Sequence, residues 1–286
     1  MLVINTIMAL RQYLNNQTEI AFVPTMGNLH DGHIKLVNLA KQNSTCVVVS
    51  IFVNPLQFGA NEDLNSYPRT LEADCEKLKA AGTDVVFAPN IAEIYPNINV
   101  ITLDFGQTMT IDTPAIANEL CGAVRPGHFN GVATIVLKLF NIVQPSIAIF
   151  GKKDFQQLFI IRELVKQFNL SIRIMAADTM REPDGLAMSS RNGYLSASER
   201  KGANMLHNTL SQTVENLHKS GLKQITQFEQ VATQHLIAAG WQVDYVSIRA
   251  VNTLLPAESG DKQVVVLGAA RLGKTRLIDN IELILT

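Results

Sequence analysis

Ile20-Ala21-Phe22-Val23-Pro24-Thr25-Met26-Gly27-Asn28-Leu29-His30-Asp31-Gly32-His33-Ile34-Lys35-Leu36-Val37-Asn38-Leu39-Ala40 is the stretch on which the fold turns. Residues 20–25 form a short apolar run ended by Pro24. Apolar residues then recur at helical spacing through Ile34, Leu36, Val37, Leu39 and Ala40, so the stretch reads as strand, loop, helix. The segment that follows, TCVVVSIFV at 45–53, is β-branched and continuous rather than alternating. Such runs suit strands buried on both faces of a parallel sheet.

Working outward, the same alternation continues for about 175 residues. The pattern predicts a helix over 71–82 closed by Gly82, a strand over 84–89, a helix over 132–143 and a strand over 146–150. A helix over 155–168 and a strand over 171–177 follow. This predicts an α/β fold, a Rossmann-like doubly wound parallel sheet with right-handed crossovers. Ligands on such sheets bind past the carboxyl ends of the strands. Loops 24–33, 53–70, 150–157 and 178–192 are therefore expected to share one site. Beyond about residue 180 the pattern changes to helices over 196–219 and 224–239, then strand-like segments over 242–250, 263–269 and 276–285. Asp178, Pro183, Asp184 and Gly185 read as a hinge. The expected division is 1–178, a Rossmann-like nucleotide-binding domain, and 179–286, a smaller C-terminal α+β domain that serves as a lid.

The chain of 286 residues is 47% apolar, enough for the cores of two domains. Its 24 basic and 25 acidic side chains are balanced, with no Lys/Arg run, which argues against a nucleic-acid partner. The opening MLVINTIMAL lacks the basic stretch and cleavage site of a signal peptide, and no apolar run reaches the roughly 18 residues of a membrane span. Cys46, Cys75 and Cys121 are odd in number and far apart, without metal or disulfide spacing. The expectation is a cytoplasmic protein with no membrane partner.

The loop after the first buried strand carries the strongest chemical signal. His30 and His33 are three apart, so at a helix start they face the same way. Helix N-termini offer N–H groups and the positive dipole end, which suit phosphate. Two imidazoles there can donate to an α-phosphate as charge builds in its transition state. Gly27 and Gly32 let backbone approach a nucleotide closely. A bare His-x-Gly-His is as readily a surface turn; its place after a strand favours function. Met188-Ser189-Ser190-Arg191-Asn192 is the second signal, two hydroxyls and a guanidinium suited to β- and γ-phosphates. Alone it reads as a polar loop. Paired with His30 and His33 it resembles the nucleotidyltransferase superfamily, whose members cleave ATP between its α- and β-phosphates. Gly151-Lys152-Lys153-Asp154-Phe155-Gln156-Gln157, at another strand end, offers a lysine for phosphate, with Asp154 holding a ribose hydroxyl, orienting Lys153, or simply capping the next helix in an exposed charged turn. Asn54 and Gln57, within IFVNPLQFG at 51–59, offer amides for a small polar substrate.

One motif is set aside. Gly268-Ala269-Ala270-Arg271-Leu272-Gly273-Lys274-Thr275 satisfies the P-loop pattern. A P-loop opens a long helix and needs a later acidic strand, whereas TRLIDNIELIL reads as a strand. A tight turn between antiparallel strands explains the glycines better.

Taken together, PTMGNLHDGH (24–33), VSIFVNPLQFG (49–59), YPRT (67–70), RPGHFNGV (125–132), KKDFQQL (152–158), REPDGLAMSSRN (181–192) and AARLGKTRLIDN (269–280) resemble the pantothenate synthetase family over nearly the whole chain. That resemblance implies condensation of (R)-pantoate with β-alanine, driven by ATP with magnesium through pantoyl adenylate, with AMP and diphosphate released. It implies a homodimer and no tightly bound organic cofactor. By motif, Met26, Gly27, Asn28, Leu29, His30, Asp31, Gly32 and His33 would line the ATP phosphates, with His33 the proton donor and His30 beside it. Gly151, Lys152, Lys153 and Asp154 would bind the nucleotide, Lys153 stabilising the transferring phosphate. Met188, Ser189, Ser190 and Arg191 would form the second phosphate loop, and Met180 a backbone contact to adenine. Gln57 and Gln157 would hold pantoate, Gln57 also reaching β-alanine. Two positions depart from the family. Lys152 stands where Glu is usual, which adds positive charge expected to favour ATP, and Met180 stands where Val is common. The metal ligands stay open; Glu72 and Asp74 lie in the right region, although magnesium is often held mainly by phosphates and water. The alternatives are another adenylyltransferase of the superfamily, attacking with phosphate rather than carboxylate, and a binding protein on this fold that has lost catalysis.

Overall fold

The computed structural model describes residues 1–59, 62, 64–99 and 105–285. Contacts divide the chain into two compact units. The first comprises Met1–Pro114, Arg125–Gly151 and Gln157–Ala177; the second comprises Ala115–Val124, Lys152–Gln156 and Asp178–Thr286.

In the first unit, β1 (Leu2–Ile4), β2 (Ile20–Thr25), β3 (Cys46–Ile51), β4 (Val85–Phe87), β5 (Ile147–Gly151) and β6 (Arg173–Ala177) form one parallel sheet. Its order is β1-β4-β3-β2-β5-β6. From β2 the chain builds outward through β3 and β4 on one side, then returns to place β5 and β6 on the other. The order reverses between β2 and β5, and a doubly wound sheet opens its ligand crevice past the carboxyl ends at such a point. The loop that leaves β2 at Thr25 is therefore the one that the topology puts at the crevice.

The helices of this unit are α1 (Ile7–Leu14), α2 (Asp31–Asn43), α3 (Leu71–Ala80) and the short α4 (Ile91–Ile94), with α6 (His128–Val143) and most of α7 (Phe155–Gln167). Strand side chains alternate between the faces. Phe22, Val48, Val85, Phe87, Ala148 and Phe150 pack on Leu10 and Leu14 of α1, on the apolar side of α6, and on Leu158, Ile161 and Leu164 of α7. Ala21, Val23, Val47, Val49, Val86, Ile147 and Ile149 pack on Val37 and Ala40 of α2 and Leu78 of α3. Both faces are covered, which is why these strands read as unbroken apolar runs. The expected Rossmann-like sheet is present.

The second unit holds α5 (Cys121–Val124), α8 (Ala197–Gly202), α9 (Met205–Ser220), α10 (Ile225–Ala238) and an antiparallel sheet of β7 (Gln242–Ala250), β8 (Gln263–Leu272) and β9 (Thr275–Ile284), in the order β7-β8-β9. Leu206, Leu210 and Leu217 of α9 and Leu236 of α10 pack on Val246, Ile248, Val264 and Val266 of the sheet. The P-loop-like octapeptide is the β8–β9 hairpin: Leu272 pairs with Thr275 across Gly273-Lys274, and Gly273 has φ +58°.

Four differences from the expected elements stand out. The helix expected over 196–219 is two, because the chain breaks between Gly202 and Met205. The helix expected from 132 begins at His128, after Gly127 in a left-handed conformation of φ +76°. β1 is a three-residue edge strand, too short to show periodicity. α1 was signalled by Thr6, whose hydroxyl accepts from the Ala9 N–H at 3.3 Å ahead of the spaced Ile7, Leu10 and Leu14.

Candidate active site

The loop from β2 to α2 is shaped by two successive residues of positive φ, Gly27 at +83° and Asn28 at +51°. The turn aims the N–H groups of Asn28 and Leu29 at the buried carboxylate of Asp74 on α3, at 2.8 and 2.7 Å. The Leu29 carbonyl accepts from Lys77 Nζ at 2.5 Å, and the Thr70 hydroxyl donates to Asp74 at 3.1 Å. A Cβ at Gly27 would come within 3.1 Å of both Asp74 Oδ2 and Ile51 Cγ2. These bonds change the expected role of the segment. The N–H groups of Asn28 and Leu29 hold the loop to α3, and Leu29, 2% exposed, is an anchor. Asp74 is likewise spent on backbone N–H groups. Among the described residues no cluster of three or more His, Cys, Asp or Glu could hold a metal. Replacing Asp74 with alanine should orphan the buried Leu29 N–H and the half-buried Asn28 N–H, cost about 2–4 kcal/mol of stability and raise the KM for ATP. Asn, which keeps one acceptor oxygen, should fall between, as read by denaturant melts and steady-state kinetics.

His30 and His33 bracket the first turn of α2 as a reciprocal cap. His30 Nδ1 accepts from the Gly32 N–H at 3.1 Å, and His33 Nδ1 accepts from the His30 N–H at 3.3 Å. The His33 N–H is spent on the His30 carbonyl at 2.8 Å. The backbone N–H groups of Gly32 and His33, expected to face phosphate, are thus consumed inside the turn. The side chains gain what the backbone gives up. An Nδ1 that accepts places the ring proton on Nε2. The two rings lie 4.1 Å apart between centroids and are tilted by 46°, and each carries its proton on Nε2. Asp31 and Gly32 are the first residues of α2 and supply this spacing.

Gln57 ends a single 3-10 turn, Pro55–Gln57, beyond β3. Its Nε2 donates to Met26 Sδ at 3.0 Å, and its Oε1 accepts from Asn54 Nδ2 at 3.2 Å. Asn54 Oδ1 in turn accepts from the buried Tyr95 hydroxyl at 2.6 Å. Burial drives the Tyr95 pKa upward, so this phenol stays a donor. In the first unit, then, Met26, His30, His33 and Gln57 are joined through one loop and one turn. Gly151 ends β5, and Gln157 lies in the first turn of α7.

The remaining candidates belong to the second unit. Lys152–Asp154 is a 3-10 turn, with Lys153 Nζ 3.3 Å from Asp154 Oδ2. Of the three roles weighed for Asp154, this contact favours orienting Lys153. Two buried neighbours on β9 hold the unit's loops from opposite faces of the strand. Asn280 Nδ2 donates to the carbonyls of Lys152 and Lys153, both at 2.9 Å. Asp279 takes Arg181 Nη1 and Nη2 at 2.7 and 2.9 Å. The Met180 carbonyl accepts from the Met188 N–H at 2.9 Å, closing the loop that carries both. Ser189 caps the turn Ser190–Tyr194 by accepting from the Arg191 N–H at 3.3 Å, so its hydroxyl is partly committed to shaping the loop. The sequence reading weighed Asp74 only as a candidate metal ligand and missed Asp279 and Asn280; the place of the latter two inside RLIDN was the available signal.

The expectation that Lys152 adds positive charge for ATP is not met. Its Nζ is paired with Glu282 at 2.5 Å and Asp178 at 2.9 Å. The Glu282 hydrogen bond leads the causes that raise its pKa, against the opposing pull of burial. The pairs are partly exposed, so Lys152→Ala should cost below about 1 kcal/mol. Lys152→Glu should cost more, by setting three carboxylates together, and adding Glu282→Lys should recover the loss in a thermal melt.

A doubly wound sheet with two Nε2–H imidazoles at its order reversal defines a nucleotide-binding α/β enzyme of the His-x-Gly-His type. The family model described as pantoate–β-alanine ligase matches residues 2–282. The pantothenate synthetase of Methylobacillus flagellatus is 60% identical over 280 residues, 98% of each chain. That of Thiobacillus denitrificans is 54% identical over 283 residues, covering 99% of this chain and 97% of its own. The crystal structure of pantothenate synthetase from Thermus thermophilus matches with a TM-score of 0.91 at 40% identity, over 98% of this chain and 99% of that one. The ligase from Francisella tularensis, complexed with β-γ ATP and β-alanine, matches with a TM-score of 0.79 at 34% identity, over 98% of this chain and 97% of that one. The chain belongs to the pantoate–β-alanine ligase family.

Proposed function

We propose that the protein joins pantoate to β-alanine in two steps on one ATP. In the first, a pantoate carboxylate oxygen bonds to the α-phosphorus. The bond from that phosphorus to the bridging oxygen breaks, and diphosphate leaves. In the second, the β-alanine amine bonds to the acyl carbon of pantoyl adenylate. The acyl C–O bond breaks, AMP leaves, and the amine nitrogen gives up a proton. The observation that carries this reading is the pair of Nε2–H donors on His30 and His33, oriented by their own helix cap. Donors fixed before the reaction stabilise the phosphorane-like charge without reorganising. Gln57 is assigned to the acid: the residue is 9% exposed, and its amide, held by Met26 Sδ and Asn54 Nδ2, keeps a second N–H and a second oxygen lone pair for pantoate's hydroxyls. Gln157 is its partner in this reading.

Lys153, Ser190, Arg191 and the backbone of Lys152, Asp154 and Met180 serve the nucleotide. Magnesium enters with ATP as part of the substrate, held by phosphate and water. Coenzyme A biosynthesis would be the consumer of the product. A homodimer in the cytoplasm completes the reading; among the described residues no helix is long and apolar enough to cross a membrane.

The test is ATP–diphosphate exchange with and without pantoate, followed by β-alanine addition and detection of pantothenate and AMP. Exchange should require pantoate. Exchange with a phosphate-bearing acceptor instead would identify another adenylyltransferase of the superfamily.

A further inference from the structure

The segment Arg125-Pro126-Gly127-His128-Phe129-Asn130-Gly131-Val132 has no role in the reaction as described so far, yet three of its residues converge on Gln57. We propose that His128 is a positioning residue for Gln57, locked in one tautomer by Arg125 and Glu62. This rests on the reading that Gln57 holds pantoate.

Gln57 needs outside support. Its turn is a single 3-10 turn whose closing bond, from the Gln57 N–H to the Asn54 carbonyl, is long at 3.4 Å. The first turns of α6 supply that support. At Gly131 an added Cβ would collide with the Leu56 carbonyl and the Gln57 N–H, so glycine lets the helix reach the turn. The Gly131 carbonyl accepts from Asn54 Nδ2 at 3.2 Å. One helical turn earlier on the same face, His128 Nδ1 lies 2.8 Å from the Gln57 carbonyl. Its Nε2 lies 2.9 Å from Arg125 Nη1. Arg125 is fixed by two bonds to Glu62, from Nε and Nη2, both at 2.6 Å. Burial works against the Glu62 carboxylate, but the Arg125 bonds outweigh it and keep the carboxyl below its ordinary pKa.

The tautomer follows from chemistry. A guanidinium donates only, so Nε2 must accept. A carbonyl accepts only, so Nδ1 must carry the proton. One neutral form satisfies both, and it is the opposite of the form that His30 and His33 adopt in their cap. The imidazole, 8% exposed, therefore bridges an anchored guanidinium and the Gln57 carbonyl, which also accepts a longer bond from Arg125 Nη2 at 3.4 Å. With that carbonyl fixed and Asn54 gripping Oε1, the Gln57 amide has one place to be.

Two measurements test this. Nitrogen-15 NMR of the wild-type protein should give His128 protonated on Nδ1 and His30 and His33 on Nε2; an Nε2-protonated His128 overturns the proposal and needs no variant. In kinetics, His128→Ala and His128→Gln should raise the pantoate KM roughly tenfold or more, with the ATP KM within about twofold. His128→Asn, whose amide keeps a donor where Nδ1 stood but gives up the Arg125 bond at Nε2, should fall between wild type and alanine. Asn behaving as badly as Ala, or both KM values rising together with lost thermal stability, would make the residue mere scaffold. Gln57→Ala separates the two layers. Where it raises the pantoate KM, adding His128→Ala should change little further, and a fully additive effect refutes positioning alone. Where it leaves the pantoate KM unchanged, the substrate reading of Gln57 fails and the positioning role falls with it.

Discussion

Replacing His33 with alanine should lower the rate of pantoate-dependent ATP–diphosphate exchange by about 10²–10³-fold, the usual loss for one oriented transition-state donor. The variant removes two things at once: the Nε2–H and the Nδ1 that caps the His30 N–H at 3.3 Å. His33→Asn takes them apart. The Asn carbonyl oxygen stands near the position of Nδ1 and can accept from the same N–H, so most of the cap survives. A lost cap costs about 1 kcal/mol, and Asn should recover the greater part of that in a thermal melt. It carries no donor at the Nε2 position, so the rate should stay nearly as low as in alanine. The loss should fall on kcat far more than on the ATP KM, because the donor acts on charge that develops during the reaction. An exchange rate in His33→Ala within about threefold of wild type would remove the imidazoles from the mechanism, and with them the physical basis of adenylation here.

What the sequence made legible, and what it hid, divides along one line. Strands buried on both faces leave continuous apolar runs, so Ile20–Thr25, Cys46–Ile51 and Ile147–Gly151 were readable, and their order followed from the intervening helices. His30 and His33 were readable because three-residue spacing at a helix start has one geometric meaning. Their partners were not. Nothing in periodicity tells that the N–H groups of Asn28 and Leu29 go to Asp74, 46 and 45 residues away. Hydrogen bonds across such a separation are set by tertiary packing alone. Lys152 is the clearest case. As a lone charge it reads as a phosphate ligand, and only the folded chain brings Glu282, 130 residues on, to neutralise it. The helix over 196–219 misled for a local reason: two amphipathic helices in sequence share one period, and the short break at Ala203-Asn204 carries no proline.

Asp279→Ala should destabilise the protein by about 3 kcal/mol, the low end for a broken buried pair, because it takes the buried partner from a guanidinium that is itself only partly exposed. Asp279 is 4% exposed and takes both terminal nitrogens of Arg181, with His207 Nδ1 at 3.3 Å. Burial alone would raise the carboxyl's pKa; the adjoining His207 ring and the Arg181 guanidinium outweigh it and hold it low. A lowered folded-state pKa sets the sign. The stability this carboxylate supplies is whole above the ordinary carboxylate range and fades as pH falls through the lowered value. The gap between wild type and Asp279→Asn should therefore be widest near neutrality and close in acid, as measured by urea melts across pH; a gap independent of pH would show that the charge is not what holds Arg181. Activity should respond differently from stability. Arg181 also donates to the Gly185 carbonyl at 3.1 Å and bridges to Ala187, which shapes the loop leading to Ser189 and Arg191. Apolar replacement of a buried pair is often neutral or better, so Arg181→Met with Asp279→Leu should regain much of the lost stability. It should still leave the ATP KM raised, since methionine cannot donate to that carbonyl. If both quantities recover together, the pair serves stability only; if stability returns and the ATP KM does not, the charges are kept for the shape they impose on the loop that carries Ser189 and Arg191.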